Sequence, residues 1–386
     1  GAAHSHVPEQ RDMYESWVEF KVTDAAGTVV THSGFVKPDG SLDEQAHSFT
    51  NRLVNGQGTL NDRHQVWNNR VVAYNNTIQS GRSQIVRYRF RVPDNAKGPL
   101  TVSAAVQYRR FNQHFIDWAM GKQHYDMPVI TMAARSRILN VGMNAADATA
   151  DPADNKAWMR WNNYGIGLLD AQQYEESAAA FAKVAAMRPD YADAYTNIAL
   201  AKFQAQHFTE ARTHLQKALQ LSPGNARALY YLALVERNDG NLEAAVVDLK
   251  QVTQQFPQSR DARRELGFSY YQQHIYDLAR VEYEALQGID PDDLAAHYNL
   301  SLIYRRLGFK AKAAVEAAAF ADEKDDPSAN AVAFEYLKNH TEVSQEIAPW
   351  HTHSDLDLVS SSATAALPTP VAGAGRSMSQ QPDAGR

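Results

Sequence analysis

Prolines recur every 34 residues in the second half of the chain, at Pro189, Pro223, Pro257 and Pro291. Small residues keep the same interval, in one series at Gly165, Ala199, Ala233, Gly267 and Ser301, and in a second at Ser177, Ala211, Ala245, Ala279 and Ala313. A fixed period of this length is typical of a helical repeat array. The interval predicts five repeat units over residues 158–327.

Units that begin at positions 158, 192, 226, 260 and 294 resemble tetratricopeptide (TPR) repeats. The fourth position of each unit is large, with Trp161, Tyr195, Leu229, Arg263 and His297. The small residues at the eighth and twentieth positions let the two helices of a unit approach closely. Proline at the thirty-second position ends the second helix. The fifth unit departs from the pattern, because its proline is Pro327.

The TPR resemblance implies a superhelix with a concave groove that binds a peptide or a protein surface. In this family the second, fifth, ninth, twelfth and thirteenth positions of each unit line the groove. Aromatic and arginine side chains at these positions are typical of interface hot spots. The residues predicted to contact a partner are Phe203, Arg227, Tyr230, Arg237, Arg264, Phe268, Tyr271, Tyr298, Arg305 and Arg306.

Residues 13–141 have the alternation of short β-strands. Val18, Phe20 and Val22 alternate with polar residues, and frequent turn signals separate the candidate strands. The clearest strand places Val86, Tyr88, Phe90 and Val92 on one face and Arg87, Arg89 and Arg91 on the other. The pattern predicts an antiparallel β-sandwich, with the arginine row exposed to solvent and a short helical insert at 111–121.

This β-domain resembles one that occurs in bacterial multihaem c-type cytochromes, between the haem-bearing part and TPR repeats. The resemblance rests on the run 86–93, on Gly98–Val102 and on Tyr108–Asn112. It implies an exported bacterial protein, periplasmic or extracellular, and a multihaem cytochrome as a partner. No Cys-x-x-Cys-His motif is present, because the chain has no cysteine.

The predicted fold is α+β and multidomain. An arm (1–12) precedes the β-sandwich domain (13–141), and a linker (142–157) leads into the five TPR units (158–327). A helix at 328–340 is expected to cap the array, since terminal repeats need a polar outer face. The tail 341–386 is rich in Ser, Thr, Ala, Pro and Gly, a composition that does not fold alone.

Composition excludes several classes of function. The net charge of −6 and the pI of about 6.2 argue against a nucleic-acid partner. No run of 18 apolar residues is present, so no membrane span is predicted. The absence of cysteine excludes disulfides and thiolate metal sites.

Few residues suggest catalytic or metal chemistry. His4 with His6 and His351 with His353 are weak metal or haem-iron candidates, because two ligands do not close a structural site. Asp62-Arg63-His64 offers a charge pair without a recognisable nucleophile. Phosphate-loop, zinc-protease, nucleophile-elbow and dinucleotide motifs are missing. The sequence therefore predicts no cofactor and no enzymatic activity.

The sequence favours an exported, non-enzymatic interaction scaffold. The tail is expected to engage a partner or a second copy of the chain, in the TPR groove or along a sheet edge, and such contacts can propagate into a filament. Two alternatives remain open. One is an accessory subunit of a multihaem cytochrome complex, and the other is an enzyme with its site in a polar pocket of the β-domain.

Overall fold

We describe the fold from a computed structural model, which defines residues 13–121, 124–140, 156–322, 327–340 and 350–352. The predicted arm, nearly all of the predicted linker and the tail apart from 350–352 lie outside the described residues. The strands are β1 (Glu15–Thr23), β2 (Val29–Ser33), β3 (His47–Ser48), β4 (Asn51–Asn55), β5 (Asn69–Asn75), β6 (Arg87–Arg89), β7 (Leu100–Arg109), β8 (Ile130–Leu139) and β9 (Trp350–Thr352).

The main sheet of the N-terminal domain is antiparallel, in the order β2-β1-β7-β8, with β3 paired to the other end of β1. Its core follows the alternation of β1. Phe20 and Val22 are buried on one face, where they pack against Tyr88 and Phe90 of the segment around β6. Trp17, on the opposite face, is 1% exposed. The predicted antiparallel β-domain is confirmed. The short segment around β6 packs against one face of this main sheet.

The hairpin β4–β5 is a separate two-stranded antiparallel sheet. Helix α1 (Gln113–Met120) lies between β7 and β8 and corresponds to the expected helical insert. Asn112 caps it, because its side-chain oxygen accepts a hydrogen bond from the Phe115 amide at 2.8 Å.

Over residues 157–322, ten consecutive helices form five antiparallel pairs. They are α2 (Ala157–Asp170), α3 (Tyr174–Met187), α4 (Ala192–Gln204), α5 (Phe208–Leu221), α6 (Ala226–Asn238), α7 (Leu242–Gln255), α8 (Arg260–Gln272), α9 (Tyr276–Ile289), α10 (Leu294–Arg306) and α11 (Lys310–Asp322). Each helix packs against its neighbours in the chain, and the first helices of units two to five also contact one another in sequence. This arrangement is the expected TPR superhelix.

The periodic small residues permit close packing within a unit. A Cβ atom added to Gly165 would lie 2.7 Å from the ring of Phe181, and one added to Gly267 would lie 2.9 Å from the ring of Tyr283. The periodic prolines follow the second helices, as at Met187 and Pro189. In the departing fifth unit, the proline instead begins the next helix, α12 (Pro327–Asn339), a position that suits proline.

Helix α12 differs from its predicted place as a cap on the array. It packs on β4 and β5 of the N-terminal domain, with Tyr336 buried against Val54. Arg70 of β5 adds a hydrogen bond to the hydroxyl of Ser328 at 2.6 Å. The apolar side of α12 is therefore buried by the β-domain, through contacts that span more than 250 residues of sequence. None of the helices within the described ranges has the length and apolar character needed to cross a membrane.

Candidate partner-binding groove

The predicted groove residues all lie on the first helices of the repeat units. Phe203 is on α4; Arg227, Tyr230 and Arg237 are on α6; Arg264, Phe268 and Tyr271 are on α8; Tyr298, Arg305 and Arg306 are on α10. Because these helices stand side by side, the structure brings the residues onto one continuous surface. Their surroundings differ along that surface.

Polar side chains link the first three units. Asn197 of α4 donates a hydrogen bond to Asn162 of α2 at 3.1 Å, and its own side-chain oxygen accepts one from Arg227 at 2.9 Å. Arg227 is thus directed along the array toward the preceding unit. Satisfying these amides within the chain fixes the spacing of adjacent units.

The middle of the surface is apolar and partly buried. Phe203 makes an edge contact with Phe208, with ring centroids 5.5 Å apart, and also packs against Tyr231. Burial raises the pKa of Tyr230 to about 12. Arg237 pairs with Glu265 and lies 5.1 Å above the ring of Phe268. These side chains mainly hold neighbouring units together.

Asp293 joins the fourth and fifth units. Its carboxylate caps α10 by accepting the Ala296 amide at 2.9 Å, and it accepts hydrogen bonds at 2.8 Å from both Arg260 and Arg264. Burial works to raise the pKa of Asp293, but the hydrogen bonds from Arg260, the Ala296 amide and Arg264 outweigh burial and hold this pKa below its usual value. Arg264 is therefore neutralised within the chain.

The last unit presents the most open part of the surface. Tyr298 is 47% exposed and touches Phe320 of α11. Arg305 and Arg306, in the last turn of α10, are exposed and form no ion pair with another residue in the described parts of the chain. Tyr298 precedes these two adjacent cations by about two turns of α10, and we call the three residues the terminal patch.

The chain's own segment before β6 contacts the first unit. Arg82 forms an ion pair with Asp170 of α2 at 3.0 Å, and Arg87 donates a hydrogen bond to Gln173 at 2.9 Å. Ile85 packs so closely on α2 that a Cβ atom at Gly167 would lie 2.8 Å from its Cγ1 atom. This segment, residues 82–87, is called the docking segment below.

The docking segment corrects one expectation and supplies residues that sequence reasoning missed. The sequence predicts that the arginine row faces solvent, yet Arg87 is partly buried against the first repeat. Alternation correctly separates Arg87 from Tyr88, but it cannot show that a second domain covers the polar side. The contacts of Arg82 and Ile85 have no periodic signal in the sequence.

The four histidine candidates lie outside the described residues or at their edge. His4, His6 and His353 lie outside the described residues, and for His351 the structure defines the backbone of β9 alone. Within the described ranges, no cluster of three or more histidine or acidic side chains has the arrangement of a metal site. Asp62 of the Asp62-Arg63-His64 run contacts His114 at 2.5 Å.

Comparison with known proteins supports the repeat assignment. The family model described as tetratricopeptide repeat matches residues 165–226, 196–259 and 233–293. Sperm-associated antigen 1 of Mus musculus is 34% identical over 94 residues, which is 24% of this chain and 10% of that protein. The human protein of that name is 26% identical over 113 residues, or 29% of this chain and 12% of that protein. The chain thus spans about a tenth of these relatives.

Two solved structures have similar folds. MamA 41-end from Desulfovibrio magneticus RS-1 is 18% identical, with a TM-score of 0.41 over 44% of this chain and 97% of that one. YrrB, described as a TPR protein with an unusual peptide-binding site, is 20% identical, with a TM-score of 0.39 over 48% of this chain and 94% of that one. The matched repeats and the helix pairs themselves identify the helical part of this chain as a tetratricopeptide repeat array.

Proposed function

We propose that this chain is a non-enzymatic scaffold that binds an acidic peptide segment of a partner protein at the terminal patch. The observation that carries the proposal is the contrast in charge along the groove. Arg237 and Arg264 are neutralised by carboxylates of the chain, whereas Arg305 and Arg306 are exposed and unpaired within the described residues. An acidic partner would complete the pattern that the chain itself uses in the other units.

The terminal patch has the composition of a binding hot spot. Tyrosine and arginine are enriched among residues whose truncation weakens interfaces most. Tyr298 offers an aromatic face, and the two guanidinium groups can each hold a carboxylate through two parallel hydrogen bonds. At the other end of the array, the docking segment contacts the first unit, which favours the last two units as the place for an external peptide.

Selection from a random peptide library tests this proposal for a partner of any sequence. The full chain is immobilised, and bound peptides are sequenced after several rounds. We expect enrichment of Asp and Glu next to an aromatic or large apolar residue, and affinity that falls with added salt. Enrichment of basic peptides, or recovery of no binding sequence, would contradict the proposal.

We also propose that copies of the chain associate by exchanging strand β9. Residues 350–352 pair in parallel with β6, in the register Arg87 with Trp350 and Arg89 with Thr352. The same pairing between two molecules would satisfy the same backbone groups, and an open series of exchanges would extend into a filament. This route replaces the broader expectation that the tail engages a neighbouring copy.

Light scattering after size-exclusion chromatography tests strand exchange. The full chain is compared with a variant that lacks residues 341–386, each over a hundredfold dilution. We expect the full chain to shift to larger species at high concentration and the shortened chain to stay monomeric. If both chains form larger species at high concentration, or if both stay monomeric, strand exchange is rejected.

The proposal places the chain outside the bacterial cytoplasm, with a multihaem cytochrome as one candidate partner. Both points rest on the resemblance of the β-domain noted from its sequence. Fractionation of the native cells and a visible spectrum of the purified native complex address them separately. A haem absorption band that copurifies with the exported chain supports the cytochrome partner. A cytoplasmic chain contradicts export, and a copurifying complex without haem contradicts that partner.

A further inference from the structure

A buried histidine in the fifth repeat unit takes the place of an arginine in the fourth. His297 of α10 and Arg263 of α8 are 34 residues apart, and each is the fourth residue of its unit. Arg263 donates hydrogen bonds to the Pro257 carbonyl at 2.7 Å and to the Glu282 carboxylate at 2.8 Å. Because Glu282 belongs to α9, the arginine joins both helices of its unit to the loop that precedes them.

His297 repeats both contacts with its two ring nitrogens. Nε2 lies 2.8 Å from the Pro291 carbonyl oxygen, and Nδ1 lies 2.7 Å from Oε2 of Glu316 on α11. Pro291 and Glu316 follow Pro257 and Glu282 by the same 34 residues. Because carbonyl and carboxylate oxygens only accept hydrogen bonds, each ring nitrogen needs its own hydrogen to bond them. The geometry therefore favours the doubly protonated, positively charged imidazole.

The histidine pair is buried among polar groups that have partners of their own. The side chains of His297 and Glu316 are 8% and 12% exposed. Gln287 of α9 donates to Glu316 Oε2 at 3.0 Å and lies 3.3 Å from Nδ1 of the ring. On the helices packed around the pair, Glu284 is bound by Arg280 and Tyr304, Asp293 is bound by Arg260 and Arg264, and Lys312 lies over the ring of Tyr304. Histidine is the side-chain type among these that ordinarily changes charge near neutral pH.

We propose that His297 and Glu316 form a pH-sensitive latch that holds the fifth unit closed while the imidazole is charged. A histidine in an unfolded chain titrates near pH 6.5. Above about pH 6.5, a folded state that keeps the second ring proton binds more protons than the unfolded chain, and the count is the same if that proton lies nearer Glu316. The stabilisation by the latch is therefore fully present below about pH 6.5 and is lost as the pH rises and the folded ring is deprotonated.

Opening of the latch affects the terminal patch, because both lie on α10. A neutral imidazole has one ring nitrogen without a hydrogen, and its lone pair then faces an oxygen, either that of Glu316 at 2.7 Å or that of Pro291 at 2.8 Å. Repulsion from Glu316 acts between α10 and α11, where Tyr298, the next residue after His297, contacts Phe320. We expect the affinity for an acidic peptide to fall as the pH rises. This consequence rests on the proposed function, whereas the latch itself does not.

Hydrogen exchange of the full chain, measured by mass spectrometry at pH 5.5 and pH 8.5, tests the latch. Protection factors, which are corrected for the intrinsic pH dependence of exchange, are compared for the amides of α10 and α11. We expect them to fall at least about tenfold between the two pH values, the effect of losing one charge-assisted hydrogen bond. His297→Arg rebuilds the pair of the fourth unit and should keep the protection high at both pH values. His207→Gln removes a histidine whose side chain is 48% exposed, and this matched control should behave like the parent.

A second variant keeps the test valid if His297→Arg does not fold. Glu316→Gln removes the carboxylate, so the protection of α10 and α11 at pH 5.5 should fall to the level of the parent at pH 8.5. Equal protection at both pH values in the parent, or a pH dependence that His297→Arg or Glu316→Gln retains, would overturn the latch. If protection changes with pH as expected but no acidic peptide binds, the latch stands and the proposed peptide function is wrong.

Discussion

The guanidinium of Arg82 lies 3.0 Å from the carboxylate of Asp170 and so connects the β-domain to the first helix of the TPR array. Burial raises the pKa of Asp170, and the charge of Arg82 acts against that rise. At the far end of the array, α12 returns to β4 and β5. The β-domain therefore contacts the first helix of the array and also the helix that follows the last unit.

The docking segment should move when its contact with α2 is obstructed. Gly167→Ala places a Cβ atom 2.8 Å from Ile85 Cγ1 and 3.3 Å from the Ser83 carbonyl oxygen. We expect a loss of about 1–3 kcal/mol, as for other overpacked sites, and faster hydrogen exchange at amides 83–89. Gly288→Ala, which meets nothing within 4 Å, is the control and should raise stability by up to about 1 kcal/mol. Equal effects of the two changes would contradict the docking.

The second attachment depends on Tyr336. This side chain is 4% exposed and packs against Val54 of β4. We expect Tyr336→Ala to lower the free energy of unfolding by about 3–5 kcal/mol in urea titrations, as for other buried aromatic residues. Phe334 lies on the same helix and is 69% exposed. Phe334→Ala is therefore the control and should change the free energy of unfolding by less than about 0.5 kcal/mol. A similar loss in both variants would show that α12 does not dock through Tyr336.

Arg109 should be essential to the β-domain. Its guanidinium is 1% exposed, pairs with Glu15 and lies 5.6 Å from the ring of Trp17. Arg109→Met leaves Glu15 without this partner, and breaking a buried pair costs about 3–5 kcal/mol. The matched change Arg135→Met, at an exposed position on the edge strand β8, should be nearly neutral in thermal melts. A neutral Arg109→Met would mean that the pair contributes little.

Asp248 should make the array less stable as the pH rises. Burial, with a smaller contribution from Glu236, raises the pKa of Asp248 to about 6. Between the ordinary value of 3.8 and about 6, the folded state binds more protons than the unfolded state, so stability falls with increasing pH in this window. Asp248→Asn should therefore melt at a higher temperature than the parent at pH 8, and the difference should vanish near pH 4.

Asp239→Asn is the control of opposite sign for that experiment. A hydrogen bond from Arg212 holds the pKa of Asp239 below its usual value. Its contribution is present above pH 3.8 and is lost as the pH falls through the lowered value. The Asp239→Asn variant should melt below the parent at pH 8 and still do so at pH 4. A melting temperature above that of the parent at pH 8 in both variants would indicate a general effect of removing negative charge.

The periodic features of the fold could be predicted from the sequence. The proline interval defined the repeat, and the small residues, such as Gly267 opposite Tyr283, indicated how its helices meet. Alternation also placed Tyr88 and Phe90 on the buried face of their strand. In each case the signal is local, because one helix or strand carries it.

Contacts between distant segments could not be predicted in this way. The pairing of Arg87 with Gln173 joins residues 86 positions apart, and that of Arg70 with Ser328 joins residues 258 apart. The predicted partner-contact residues lie on the first helices of the units, but their pattern could not show that carboxylates elsewhere in the array neutralise Arg237 and Arg264. Because Arg237 and Arg264 are paired in this way, only the terminal patch is proposed as the peptide site.

The dissociation constant of a library-selected acidic peptide tests the central claim most directly. It is measured by fluorescence anisotropy for the parent chain, for the double variant Arg305→Glu with Arg306→Glu, and for Arg135→Glu as a control for net charge. Reversing these two cations, which have no ion-pair partner in the part of the chain that the structure describes, should weaken binding at least about tenfold, while Arg135→Glu should have little effect. An unchanged dissociation constant in the double variant, with the fold intact by circular dichroism, would contradict the terminal patch as the binding site.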